Sequence, residues 1–391
     1  MTNTLTKLAI VGSLANYGGG TERALINLLH YLPEDLFDIT LLTFSVPASE
    51  LLPLLPSHVK IKVMKVKRFR DRCLSKFLTF HWKSMYRMLT GKVDPLKLCS
   101  YWKENMSFYE RDNDSYDVAI AYFLPVSEYS VYTITNIKAR KKLLWIHMDL
   151  RNEGPKALDF QQIYTQYDKI VAVSQACCKS FLAVFPNLCD MMVVLPNFIV
   201  PEEILAKSKE TVNDMVCEDG VLNIVSVSRL SNEKQPYFAV EAAELMVKKG
   251  INFKWFFVGD GPLRKSLNQY VIEKKLEQYV FFIGARNNPY PYMGNSDIFI
   301  QCSKVESYCL TIAEALSLGK FVISTDFPAA HELIDNGRNG MIVQNSPEGI
   351  ISGVAYVITN KSIIIDNELR GCLDGILKKT KDKLHKLLES E

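Results

Sequence analysis

Short apolar runs alternate with stretches of helical spacing, twice over, and this constrains the 391-residue chain more than any other feature. In the first half, strand-like runs fall at residues 7–12, 37–44, 59–66, 117–123, 142–147, 169–174 and 192–196. In the second half they fall at 222–226, 253–258, 280–283, 298–302, 321–325 and 340–343. Helical patterns fill the gaps, as at 21–32, where Ala24, Leu25, Leu28 and Leu29 share a face. Parallel strands need a crossover connection of that kind, and the crossovers cover both faces of the sheet. Two such series imply an α/β chain of two doubly wound, Rossmann-like parallel-sheet domains. A length of 391 residues also exceeds one comfortable core.

The domains divide at P-N-F-I-V-P, residues 196–201, and the polar run that follows. Residues 1–200 are assigned to the first domain, 201–220 to a linker, 221–374 to the second domain and 375–391 to a lysine-rich amphipathic terminal helix. A hydrophobic fraction of 48% with 23% charged residues is ordinary for a soluble protein. No run of about 18 uncharged apolar residues occurs, so no membrane-spanning helix is expected. The nine cysteines include no C-x-x-C pair and read as reduced thiols of a cytoplasmic protein. Lys7 and the apolar run after it imitate a short signal peptide, but the loop and helix that follow favour a buried first strand.

Charge is uneven. Residues 60–92 hold 11 Lys or Arg against one acid, Asp71, which leaves the rest of the chain at −7 against a total of +3. Within that segment Leu74, Phe77, Leu78, His81, Trp82, Met85 and Leu89 fall on one helical stripe. A basic amphipathic helix with aromatics suits an anionic membrane surface. A helix packed on the sheet with a solvated basic face suits the pattern equally. No nucleic acid partner is expected.

The chemistry concentrates at 298–319, I-F-I-Q-C-S-K-V-E-S-Y-C-L-T-I-A-E-A-L-S-L-G. An apolar strand opens into a polar loop, and a helical pattern begins near Tyr308. Free backbone N–H groups and the dipole at that helix start make an anion site. Glu306 and Glu314 bracket it, and carboxylates suit hydroxyls rather than phosphate. A ligand with a diphosphate between two polyols, such as a nucleotide-sugar, matches the pattern. Arg229 and Lys234 in V-S-R-L-S-N-E-K, 227–234, supply a fixed fork and a point charge for the oxygens of a departing diphosphate.

The stretch S-x-V-E-S-Y-x-L-T-I-x-E-A-L-x-L-G resembles the signature of the family-four retaining glycosyltransferases of glycosyltransferase group 1, which have the GT-B fold. Three further stretches carry the same resemblance: R-L-x-x-E-K at 229–234, G-x-G-P at 259–262 and G-G-x-E-R at 19–23. The resemblance implies that Glu306 binds the donor sugar's hydroxyls and Glu314 the ribose. The amides around Tyr308, Cys309 and Leu310 would hold the diphosphate. The glycines of the Asn16–Gly20 turn allow positive φ, and the resemblance sets Gly19 and Gly20 toward the donor phosphates or the acceptor. It makes G-x-G-P mainly architectural, with Gly259 and Gly261 as donor neighbours, and puts the backbone of Arg286 at the base edge. His147, at the end of a strand, would contact the donor sugar, and Glu233 would orient Lys234. The ligand would lie in a cleft between the domains, and the terminal helix would cross back to the first domain. The implied activity is metal-independent, cofactor-free transfer with retention, from a nucleotide-sugar (UDP favoured) to a glycan or lipid-linked acceptor, at or near the inner face of the membrane. A GT-B nucleotide-sugar epimerase and a catalytically silent nucleotide-sugar binder are the alternatives.

Overall fold

The computed structural model describes residues 5–15, 19–67, 97–123, 125–218, 220–360 and 371–389. It divides into two compact units, 1–198 together with 380–391, and 199–379.

The first unit is built on a seven-stranded sheet. Its strands are β1 (Thr6–Val11), β2 (Phe37–Thr43), β3 (Lys60–Val63), β4 (Ser115–Ala121), β5 (Lys138–Ile146), β6 (Lys169–Ala172) and β7 (Met192–Val194). They lie in the order β3-β2-β1-β4-β5-β6-β7. Every pairing is parallel, with Leu8 of β1 opposite Ile39 of β2 and Val118 of β4. Leu8, Ala9, Ile10 and Val11 are fully buried, as expected of a central strand covered on both faces. The helix Gly20–His30 buries Ala24, Leu25, Leu28 and Leu29, the face its spacing defines. The outermost strand β3 departs from the half-buried edge expected of it. Ile61 and Val63 remain 37% and 38% exposed. Lys60 pairs with Asp38 and Lys62 with Asp112, each at 2.6 Å, so charge rather than burial finishes this edge. The basic helical stripe at 73–89 lies outside the described residues.

The terminal helix Asp374–Leu388 joins the first unit from Thr380 onward. Leu384 and Leu388, four apart, are fully buried there. The His385 ring lies against Phe37 at 5.8 Å, with Nε2 3.3 Å from the Tyr31 carbonyl oxygen.

The second unit carries six parallel strands. They are β8 (Leu222–Val227), β9 (Phe253–Val258), β10 (Val280–Gly284), β11 (Ile298–Gln301), β12 (Phe321–Thr325) and β13 (Gly340–Val343), in the order β10-β9-β8-β11-β12-β13. Trp255, Phe257, Ile298, Ile300, Phe321 and Ile323 fill its core. The chain winds outward from β8 to β10 on one side and from β11 to β13 on the other. The order therefore reverses between β8 and β11, where Ile298 and Phe299 pair with Ile224 and Val225. In open α/β sheets the crevice at such a reversal, at the carboxyl ends of the strands, is where ligands bind.

Residues 201–207, read from sequence as linker, instead form the helix Pro201–Lys207 within the second unit. The local sequence suits a helix. Pro201 occupies the first turn with Glu202 and Glu203, Lys207 closes the last turn on Glu203 at 2.6 Å, and Ile204 is buried.

Candidate active site

The reversal between β8 and β11 brings together two loops far apart in sequence. The loop after β8 carries Arg229, Glu233 and Lys234, and the loop after β11 carries Ser303 to Cys309. A backbone bond from Lys304 N–H to the Glu233 carbonyl oxygen, at 2.8 Å, ties them. Across this join the Lys234 ammonium is paired with Glu306 Oε1. The same oxygen accepts from Ser303 Oγ at 2.8 Å and Gln301 Nε2 at 3.4 Å. All three donors converge on one oxygen. Among the described residues, Glu306 Oε2 accepts no hydrogen bond, which leaves half of the carboxylate available to hydroxyls. Burial works against the charge of Lys234, but the adjacent Glu306 carboxylate outweighs it and holds the ammonium above the ordinary lysine value. Lys234 is therefore a fixed positive charge at any physiological pH.

Among the described residues Glu233 makes no hydrogen bond to Lys234, although the two attract one another electrostatically. Its own carboxylate accepts from the Ser231 hydroxyl, and this bond leads the causes that hold it below the usual range. Arg229 is exposed, and among the described residues no hydrogen bond or salt bridge holds its guanidinium, although the Glu233 carboxylate attracts it. An exposed arginine not tied by a hydrogen bond is inexpensive to keep and ready for an anion.

The helix Leu310–Ser317 starts at Cys309, whose backbone is left-handed at φ 71° and ψ 75°. No side chain caps it. A non-glycine residue at this φ costs on the order of 1–2 kcal/mol. Local strain and an uncapped N-terminus coincide at the position assigned to the diphosphate. Cys309→Gly is expected to raise stability by about 1 kcal/mol in denaturant unfolding, with Cys309→Val lowering it. The thiol is not itself reactive, since burial first and Glu306 second push it up to about 12. Tyr308 is likewise buried. A second left-handed residue, Gln235 at φ 46°, follows Lys234 directly.

Glu314 lies on this helix, only 5% exposed, and Tyr290 donates its hydroxyl to Oε1 at 3.0 Å. The Arg286 side chain is engaged within the unit. Nε lies 3.0 Å from the Tyr292 hydroxyl, and Nη2 bonds Asp214, a residue of the stretch read as linker.

Gly259 and Gly261 have a packing reason of their own. Gly259 sits at φ 145°, and a Cβ there would overlap the Ser228 carbonyl oxygen. At Gly261 it would overlap Leu230. The two glycines thus let the turn after β9 lie directly on the backbone that presents Arg229. Gly259→Ala is expected to lower stability by about 3 kcal/mol or more, measured by urea unfolding, because the obstacle is backbone and cannot rotate away.

In the first unit, Gly19 is the N-cap of Gly20–His30 at φ −76°, so the positive φ expected of this turn is not used there. A side chain at Gly19 would meet the Glu22 carboxylate, which is the end of a flexible chain and can swing aside. Gly20 faces no atom within 4 Å of its Cβ direction. His147 follows β5 directly, its ring 4.6 Å from that of Tyr122. The residue keeps some exposure, but Nε2 is covered and has no hydrogen-bond partner among the described residues. Burial pushes the imidazole down to about 3, so it is neutral.

Sequence reading passed over Gln301, Ser303 and Thr311. Gln301 closes an apolar strand yet is 2% exposed, and its amide bridges Ser303, Glu306 and Thr311. A polar residue ending a buried strand beside a site was the available signal.

Residues 216–370 match the family model described as glycosyl transferases group 1. An uncharacterised glycosyltransferase of Methanocaldococcus jannaschii is 23% identical over 251 residues, 62% of this chain and 60% of that protein. The Campylobacter jejuni N-acetylgalactosamine-N,N'-diacetylbacillosaminyl-diphospho-undecaprenol 4-alpha-N-acetylgalactosaminyltransferase is 27% identical over 213 residues, 53% of this chain and 54% of its own. The chain thus spans between half and two thirds of these relatives. The Anabaena HepE structure in complex with UDP and glucose superposes with a TM-score of 0.72 at 16% identity, over 99% of this chain and 100% of that one. The fold is GT-B.

Proposed function

We propose that the protein, whose residues 216–370 match the group 1 glycosyltransferase model within a GT-B chain, transfers a sugar from a UDP-sugar to a glycan or lipid-linked acceptor, with retention and without a metal. The observation that carries the reading is the junction of the loops after β8 and β11. There the Lys234–Glu306 pair, the exposed Arg229 guanidinium and the strained, uncapped start of Leu310–Ser317 meet at the sheet reversal. The helix start and the two cations hold the diphosphate, and they stabilise the charge that grows on it as the glycosidic bond breaks. Two fixed cations and a helix dipole perform the task that a divalent ion performs elsewhere. Glu306 Oε2 reads the sugar's hydroxyls, and Glu314 reads the ribose. Retention follows from attack on the face the phosphate leaves, the phosphate accepting the acceptor's proton.

The Anabaena protein's complex with UDP and glucose supports a uridine donor. The name of the Campylobacter relative specifies a diphospho-undecaprenol-linked saccharide, which supports a lipid-linked acceptor. In a thermal-shift panel of UDP-, GDP- and ADP-sugars, a UDP-sugar at 100 times its dissociation constant is expected to stabilise the chain by about 2.7 kcal/mol. Arg229→Ala is expected to remove most of that gain and leave the ligand-free melting temperature unchanged. Silence toward every nucleotide would sink the proposal, and activity abolished by chelator and restored by a divalent ion would sink its metal-free form.

A further inference from the structure

Gln301 is the last residue of β11, and all its polar atoms are engaged inside the protein. Nε2 donates to Ser303 Oγ at 2.7 Å and approaches Glu306 Oε1 at 3.4 Å. Oε1 accepts from Thr311 Oγ1 at 3.1 Å. The amide orientation is fixed by chemistry, because a carboxylate can only accept and therefore demands the NH₂ side. Thr311 is the second residue of Leu310–Ser317, in the turn assigned to the diphosphate. Ser303 is held in turn by Thr325, whose Oγ1 accepts from Ser303 N–H at 2.9 Å and donates to the Ser303 carbonyl oxygen at 2.8 Å.

Resting on the glycosyltransferase reading above, we infer that Gln301 is a positioning residue that couples the diphosphate-binding turn to the sugar-reading carboxylate through the Thr311–Gln301–Glu306 bridge. Its amide need not touch the donor. It fixes the rotation of the Glu306 carboxylate by loading Oε1, together with Lys234 and Ser303, and so turns Oε2 outward. Lys234 alone would not achieve this, since an ammonium is a point charge that accepts either oxygen in many geometries, whereas a planar amide clamped at both ends sets a direction. The bridge gives the site a way to recognise sugar and diphosphate as one ligand. A shift of the Leu310–Ser317 turn on binding phosphate pulls Thr311, and through Gln301 it pulls Glu306.

The test separates the sugar's share of binding from the nucleotide's. Dissociation constants for UDP, UDP-glucose and UDP-N-acetylglucosamine are measured by calorimetry on wild type, Gln301→Leu, Thr311→Val and the double variant, with kcat and KM for any sugar that transfers. Hydrogen bonds to charged groups are worth roughly one to two factors of ten. Gln301→Leu is expected to bind UDP within about twofold of wild type, while the preference for the UDP-sugar over UDP falls about tenfold. Thr311→Val is expected to lose a part of the same preference, and the double variant to lose no more than Gln301→Leu alone. If Gln301→Leu proves poorly folded by its melting curve, Thr311→Val, near-isosteric, decides the matter. Preference retained in both single variants overturns the inference, and so does an equal loss of UDP and UDP-sugar binding. A wild type that binds the UDP-sugars no better than UDP overturns the coupling, whereas one that binds none of the three overturns the glycosyltransferase reading itself.

Discussion

Lys234→Ala is expected to lower kcat by about 10²–10³-fold, with a smaller change in the affinity for the nucleotide-sugar. The magnitude is that of losing one preorganised group aimed at developing charge. The split follows from where the charge grows. On the proposed function, the diphosphate in the ground state is also held by Arg229 and by the amides at the start of Leu310–Ser317, so one lost cation is expected to be partly covered. In the transition state the leaving oxygen carries new charge, and a buried ammonium in reduced dielectric is worth more than an exposed guanidinium. Lys234 is 22% exposed as a side chain and paired with Glu306, so its removal also strips one donor from Glu306 Oε1 and leaves Ser303 and Gln301 to hold it. Lys234→Arg should not restore the rate, because a planar fork cannot take the place of a point charge wedged against one carboxylate oxygen. The check is steady-state transfer from the donor identified in the nucleotide panel, with single-turnover rates to separate chemistry from release. Equal losses in kcat/KM and in affinity, with kcat intact, would mean that Lys234 only binds.

The reasons some of this was legible in sequence and some was not are physical. Both sheets were legible because strands buried on both faces must be apolar throughout, and their crossovers must be helical in spacing. Glu306 and Lys234 were legible as separate motifs, since each follows a strand that ends at the sheet's carboxyl edge. Their mutual pairing was not, because it depends on β8 and β11 becoming neighbours, 72 residues apart in the chain. The same long-range step hid Gln301, whose partners lie on its own strand's loop and on the next helix. Gly259 and Gly261 read as mainly architectural by their motif, but what they pack against, the backbone of Ser228 and Leu230, is supplied only by the fold. The helix Pro201–Lys207 was obscured by its flanking prolines and charges, which also mark linkers, although Pro at a first turn and opposite charges at the two ends are equally helix signals.

The second large effect concerns His147 and appears in stability rather than rate. Its ring is covered beside Tyr122, and burial holds it down to about 3, against about 6.5 for an exposed imidazole. The folded state therefore refuses a proton that the unfolded chain accepts. As pH falls below 6.5 the unfolded state gains that proton and its free energy drops, so stability is lost progressively until the folded-state value is reached near 3. The slope approaches about 1.4 kcal/mol per pH unit, which amounts to about 2 kcal/mol between pH 7 and pH 5 for this one group. His147→Phe keeps an aromatic ring against Tyr122 and removes the titration. The difference in unfolding free energy between pH 7 and pH 5 should therefore shrink by about 2 kcal/mol in that variant, with every other acid-sensitive group common to both proteins. An unchanged difference would mean that the ring is reached by water and titrates normally. The consequence for function is direct. On that value the imidazole is neutral throughout the working range, so in the proposed reaction it is expected to meet the donor sugar as a neutral hydrogen-bonding ring rather than as an acid. The pH–rate profile between 5 and 8 should carry no inflection that His147→Phe abolishes.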